Sequence, residues 1–312
     1  DSGAGGSMLR EEHVERITGV TPDDRGRQAP VVDRWMRTLA DLGADETIVQ
    51  VDPAVTAKDS SDETGVVAAC RRMPERGRVR KADLPGLPDV PLADLPQAVA
   101  LEDWSVAPGE VETGAPSSVW APRAYRLACL WGASRVVVET NQGGEEVLSA
   151  IRDLVRQGIS EAMAMGWLTE EYPGVAVGRL GALARRVVGS SRGIAVESVR
   201  RHSDKPRRME WYARTAATGR QAVLSADWHR DGAQHWAIGL GQVGGYEPPR
   251  AGASERETPR KDRGDVLVGA AQVLLGVRET GKGEVVDEAA DGWLKGIAAG
   301  RYRTYIISGA LA

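Results

Sequence analysis

Three acidic residues stand where apolar runs begin or end. Asp52 closes the run 47–52 (TIVQVD), Glu139 closes 134–139 (SRVVVE), and Asp265 opens 265–275 (DVLVGAAQVLL). A carboxylate in such a place is expensive to bury as an unpaired anion. Strand ends and helix N-termini are also points where distant segments of a chain can converge. Three acids meeting there would make an oxygen-rich site of the kind that hard divalent cations prefer. A pair of such ions about 3.5–4 Å apart can stabilise both the attacking and the leaving oxygen of a phosphodiester. Each acid also has a plainer reading. Asp52-Pro53 suits a turn, Glu139 a strand-end surface charge, and Asp265 a favourable interaction with a helix N-terminus.

The elements that must position these acids follow from hydrophobic periodicity. VVDRWMRTLADLG predicts an amphipathic helix with Val32, Trp35, Met36 and Leu39 on one side and Gly43 as its stop. Strands are expected at 47–52, 64–72, 100–106 (ALEDWSV, read as near a sheet edge), 133–141, 193–199 and in QAVLSA. The three consecutive valines Val136, Val137 and Val138 predict a strand buried on both faces. Helices are expected at 118–131, after the NQGG turn at 141–144, over much of 159–190 with a break at Tyr172-Pro173-Gly174, at 205–219 and at 263–277. The proline-rich stretch 73–98 and the Gly/Pro/charge-rich stretch 241–264 read as irregular, and DEAADGWLKGIAAG as a further helix. This order predicts an α/β fold built on a mixed sheet.

Three short motifs match without the context their chemistry requires. GVRETGKG (276–283) lacks the hydroxyl residue of a phosphate-binding loop and follows a helix where a strand is needed. GLGQVG (239–244) is followed by GYEPP, so a dinucleotide site at a helix N-terminus is not expected, and GSSRG (189–193) runs from helix to strand, the reverse of a nucleophile elbow. Both read as loops. His13, His202, His229 and His235 form no H-x-x-x-H pair and read as packing or surface residues.

At 312 residues and 42% hydrophobic, the chain is long enough for a large core, and its net charge of −4 carries no global nucleic-acid signature. Locally the balance differs. Arg200, Arg201, Lys205, Arg207, Arg208, Arg214 and Arg220 face only Asp204 and Glu210, a net +5. Such a segment suits phosphate contacts or a solvated helix face. The two cysteines, Cys70 and Cys129, fit no zinc spacing and read as buried free thiols, which favours a reducing compartment. No apolar run reaches membrane-spanning length and no signal peptide is expected. DSGAGGSM (1–8) reads as an expression scar.

Taken together, four stretches resemble the C-terminal nuclease domain of the large terminase subunit of tailed bacteriophages, within the ribonuclease-H-like superfamily. VDPAVTAKDSSDETGVV resembles its first acidic motif and following strand, ALEDWSV its third strand, SRVVVETNQGGEEV its second acidic motif, and DRGDVLVGAAQVLL its last. The resemblance implies a ribonuclease-H-like mixed β-sheet flanked by helices over residues 46–277. The excursions at 73–98 and 159–190 are longer than the family pattern. It further implies two Mg²⁺ or Mn²⁺ ions held by Asp52, Glu139 and Asp265, with Asp62 and Asp262 as further candidate ligands. Lys205, Arg207, Arg208, Arg201 and Arg214 become candidate DNA contacts.

The activity implied is endonucleolytic cleavage of concatemeric double-stranded viral DNA during packaging, in the cytoplasm of a bacterial host. No nucleotide is expected in this fragment. Residues 9–45 would lead in from an ATPase motor, 278–312 would form a C-terminal extension, and the fragment would be a monomer. In the full-length protein the partners would be the motor, the portal protein and the small terminase subunit. Two rival readings stand beside this one: another ribonuclease-H-like enzyme, such as a junction resolvase or transposase, and a DNA- or portal-docking module with a degenerate site.

Overall fold

The computed structural model describes residues 14–18, 31–53, 64–73, 95–105, 117–140, 144–201, 205–217, 219–226, 228–229, 236–244, 262–279 and 285–286. Its strands are β1 (Glu15–Thr18), β2 (Ala44–Asp52), β3 (Gly65–Arg72), β4 (Gln97–Asp103), β5 (Arg135–Glu139), β6 (Ala195–Val199) and β7 (Gln221–Ser225), joined as one sheet in the order β1-β7-β4-β3-β2-β5-β6. Only β3 runs against the others; every other pairing in the sheet is parallel. A two-stranded hairpin of β8 (Arg278–Glu279) and β9 (Val285–Val286) stands apart from it.

Helices cover both faces, as a sheet with parallel strands requires. On one face lie α1 (Arg34–Leu42), α2 (Ser117–Trp131), α3 (Gly144–Gln157), α4 (Glu161–Glu171) and α5 (Gly181–Ser190). On the other lie α6 (Lys205–Ala217), α7 (Ala237–Gly244) and α8 (Asp262–Leu274). Side-chain alternation divides the strands between these layers. Val49, Val51, Val136 and Val138 join the five-helix core, while Ile48, Val67 and Val137 join the three-helix core. The mixed α/β architecture expected from the order of elements is therefore present, and the triple-valine strand is buried on both sides.

The segment expected as a lead-in is built into this body. β1 pairs with β7 at the sheet edge, and α1 buries Trp35, Leu39 and Leu42 against the five-helix core. The helix starts where Asp33 Oδ1 accepts the Met36 amide at 3.2 Å and stops at Gly43, whose φ of +62° favours a residue without a Cβ. Met36 is 41% exposed, so the expected stripe is narrower by one residue. The stretch 159–190 forms α4 and α5. Glu171 and Tyr172 fasten this region to α1: Arg34 pairs with Glu171 at 2.5 Å and stacks on Trp35, Tyr172 and Trp228.

Two expectations are overturned. β4 is not near an edge, because β7 and then β1 extend the sheet beyond it. Nor is 241–264 wholly irregular: α7 takes in 239–244, so GLGQVG is helical, and its Leu240 and Val243 are buried beneath α8. Most of 73–98 and the DEAADGWLKGIAAG stretch lie outside the described residues.

β4 also carries a bulge. Ala69 pairs with Ala100 but Ala68 pairs with Glu102, so Leu101 is the extra residue. The slip turns Glu102 into the five-helix layer, where its two carboxylate oxygens accept the indole N–H groups of Trp104 and Trp131, each at 2.8 Å. Burial, reinforced by Glu171 and opposed by the two indoles and Arg34, pushes this carboxyl up to about 7. A carboxyl whose folded value exceeds its unfolded one binds its proton more tightly when folded. Stability then falls as pH rises from about 4.5 toward 7 and levels off above. Urea unfolding should show the wild type losing about 3 kcal/mol across that window relative to Glu102→Gln. Parallel pH profiles for the two proteins would contradict the assignment.

Candidate functional site

The parallel pairing of β2 with β5 sets the first relation between the expected site residues. Val51 stands opposite Val138, so Asp52 and Glu139 are the next residues on adjacent parallel strands. By alternation both belong to the three-helix face, on the side opposite Val51 and Val138. α8 crosses that face and brings Asp265, 2% exposed, to it. Carboxyl ends of parallel strands are where open α/β sheets place their sites.

Glu139 and Asp265 meet over a shared set of cations. Arg208 lies between them, with Nη1 at 3.7 Å from Glu139 Oε1 and Nη2 at 3.5 Å from Asp265 Oδ1. Lys205 Nζ is 2.6 Å from Asp265 Oδ2, and Arg201 Nε is 3.6 Å from Glu139 Oε2. Burial pushes the Glu139 carboxyl above its ordinary range, Arg208 and Arg201 pull it back, and Asp265 adds to the rise. Despite the close ammonium of Lys205, neither Asp265 oxygen accepts a hydrogen bond of good geometry. A buried carboxylate in that condition has donor capacity to spare.

Hard oxygen donors of this kind fit magnesium or manganese in type and in burial. They are not gathered into a ready cluster, however. Among the described residues no three acidic, histidine or cysteine side chains are grouped so as to hold a metal ion. Glu139 and Asp265 are brought together, and Asp52, half-buried, ends the neighbouring strand. Asp262 opens α8, and Asp62 lies outside the described residues.

The expected basic surface divides in two. Lys205, Arg207 and Arg214 are exposed along α6. Arg201 and Arg208 are buried, at 9% and 5% exposure, and turned toward the acids, which removes them from a DNA-facing surface. A basic run read as charge alone cannot reveal this. The helical spacing could have, since Arg208 lies beside the buried residues Met209, Trp211 and Tyr212. A second residue passed over in the sequence is Asp103. The bulge that turns Glu102 one way leaves Asp103 opposite Val67 on the three-helix face, where Arg263 of α8 approaches it at 3.8 Å. Consecutive acids at a strand end were the available signal, because alternation sends neighbours to opposite faces. Of the histidines, His229 is buried and packs edge-on against Trp228 and Trp236.

Removing one partner from a buried charge cluster leaves the others uncompensated. Arg208→Met keeps the bulk and deletes the charge facing both acids. It should destabilise the protein by about 3 kcal/mol in urea unfolding, whereas exposed Arg207→Met should change stability by less than about 0.5 kcal/mol. Equal effects in the two variants would show that the cluster contributes nothing.

No protein-family model and no curated protein matches the chain. Among solved structures, the manganese-soaked, inhibitor-bound human cytomegalovirus terminase nuclease domain aligns over 85% of this chain and 94% of its own. The identity is 14% and the TM-score 0.42.

Proposed function

We propose that this chain is a metal-dependent DNA endonuclease with a ribonuclease-H-like sheet, cutting concatemeric double-stranded viral DNA during genome packaging. The observation that carries the reading is the meeting of Glu139 and Asp265. A strand end and a helix far apart in sequence place two buried carboxylates over shared cations, with Asp52 ending the adjacent strand on the same face. The four sequence stretches that resemble phage terminase nucleases supply the substrate class. The antiparallel β2-β3-β4 meander continued by parallel β5 and β6 agrees with the sheet that the resemblance implies.

In this reading Asp52, Glu139 and Asp265 hold two Mg²⁺ or Mn²⁺ ions. When bound, the ions supply Lewis acidity that offsets charge developing on the phosphodiester. Arg208 and Arg201 offset the negative charge of the buried acids. Lys205, 44% exposed at its side chain, stands at the mouth of the site, where it can exchange Asp265 for a phosphate oxygen. Arg207 and Arg214, seven residues apart, add a cationic stripe on the other side of α6. Such contacts read backbone charge and not base sequence, so cleavage has low sequence preference. Full-length assembly would add the ATPase motor, portal protein and small subunit.

One observation favours a second reading, a docking module with a degenerate site: Lys205, Arg201 and Arg208 already balance Glu139 and Asp265. Calorimetry with Mn²⁺ separates the two, since a degenerate module binds no ion. The direct test is cleavage of supercoiled plasmid in Mn²⁺. Asp52→Ala, Glu139→Ala and Asp265→Asn should each lower the rate by at least about a hundredfold, and chelation should abolish it. Full activity in Asp52→Ala and Glu139→Ala would sink the proposal, and cleavage of branched DNA alone would move it to the resolvases.

A further inference from the structure

Arg201 follows β6 by two residues, and its side chain runs inward beneath α8. One planar guanidinium there meets three groups on two elements. Nη2 donates to the carbonyl of Gly269 at 3.0 Å, Nη1 donates to Gln272 Oε1, and Nε stands 3.6 Å from Glu139 Oε2. Gly269 and Gln272 belong to the helix that carries Asp265. Positions 265, 269 and 272 are spaced by four and three, so they share one face of α8. That face thus presents an acid, a gap and an anchor.

The gap suits glycine. A Cβ at Gly269 would lie 3.0 Å from Arg201 Nη2 and 3.5 Å from Gln50 Cδ, tighter to the guanidinium than nine in ten real Cβ contacts, so the fork would have to shift by a few tenths of an ångström. Gln272, 1% exposed, supplies the side-chain end of the clamp. Lysine could supply the charge but not the forked, planar set of donors that reaches a carbonyl, an amide oxygen and a carboxylate together.

We infer that Arg201 is a positioning residue: it ties the helix bearing Asp265 to the strand-end carboxylate of Glu139 and so sets the separation of the two acids. The consequence for catalysis rests on the nuclease reading above; the clamp itself does not. Arg201 thereby acts on the reaction through Glu139 and Asp265, without touching DNA.

The test compares Arg201→Lys with Gly269→Ala in the full chain, one variant removing the fork and the other crowding it with charge intact. Each should lower kcat for plasmid cleavage in Mn²⁺ by about tenfold or more, with KM and DNA affinity unchanged. The double variant should be no slower than the worse single one, because both break one contact. Undiminished kcat in either folded variant overturns the inference. So does a loss of DNA affinity in Arg201→Lys with kcat preserved, which would make Arg201 a phosphate contact. A second readout needs no activity: a urea-unfolding cycle of Arg201→Lys with Glu139→Gln should show coupling of about tenfold in the unfolding equilibrium. If the wild type fails to cut at all, the nuclease reading falls, and coupling near unity in this cycle overturns the clamp separately.

Discussion

Two carboxylates from unrelated parts of the chain, Glu139 and Asp265, share one buried place, and like charges there repel. Bringing two such groups together out of water is costly without compensating cations. Arg208 compensates directly, reaching one acid with each side of its guanidinium, and Arg201 and Lys205 complete the balance. The cations arrive from the end of β6 and the first turn of α6, the acids from β5 and α8. The cluster therefore links four elements of the three-helix face to one another, alongside the apolar packing of Trp211 and Tyr212 of α6 and Leu267 and Val268 of α8.

The sheet makes this convergence possible through direction and register. Because β2 and β5 are parallel neighbours, their carboxyl ends lie side by side, and the pairing of Val51 with Val138 brings Asp52 level with Glu139. The same alternation buries Val51 and Val138 under the five helices on the far side. Large apolar side chains such as Trp35, Trp120 and Trp131 fill that layer. The acids of the expected site thus fall on one face, while the other combines most of the large apolar burial with its own ion pairs, such as Arg34–Glu171. The β4 bulge divides two consecutive acids between the faces, sending Glu102 among the tryptophans while Asp103 stays with α8.

Much of this was legible in the residues. Periodicity found β2, β3, β5, α2, α6 and α8, and the position of acids at element ends singled out Asp52, Glu139 and Asp265. Periodicity could not find strand order. β4 looked peripheral because its own residues say nothing of β7, which joins it from more than a hundred positions later in the chain. α7 was hidden by glycines at 239, 241 and 244, whose low helix propensity is overridden when Leu240 and Val243 pack under α8. The basic run was read by charge, yet whether an arginine faces water or an acid depends on the helix phase and on partners distant in sequence. Arg201 and Arg208 belong to the second kind.

That division changes what the cationic segment can do. Three of its seven positive residues, Arg201, Arg208 and Arg220, are buried. Arg200, Lys205, Arg207 and Arg214 are left exposed, against exposed Glu210 among the described residues. An exposed cation can release counterions from a polyanion, whereas Arg201 and Arg208 are already committed to carboxylates and Arg220 donates to the Pro96 carbonyl. The surface potential of this segment is consequently weaker than the sequence total suggests, and Arg201 and Arg208 serve the acids. Arg207 and Arg214 are seven residues apart and share one side of α6, whereas Lys205, two residues before Arg207, is turned to the other side. Its contact with Asp265 at 2.6 Å follows from that phase, so an exposed lysine belongs to the inner charge cluster and not to the stripe formed by the two exposed arginines.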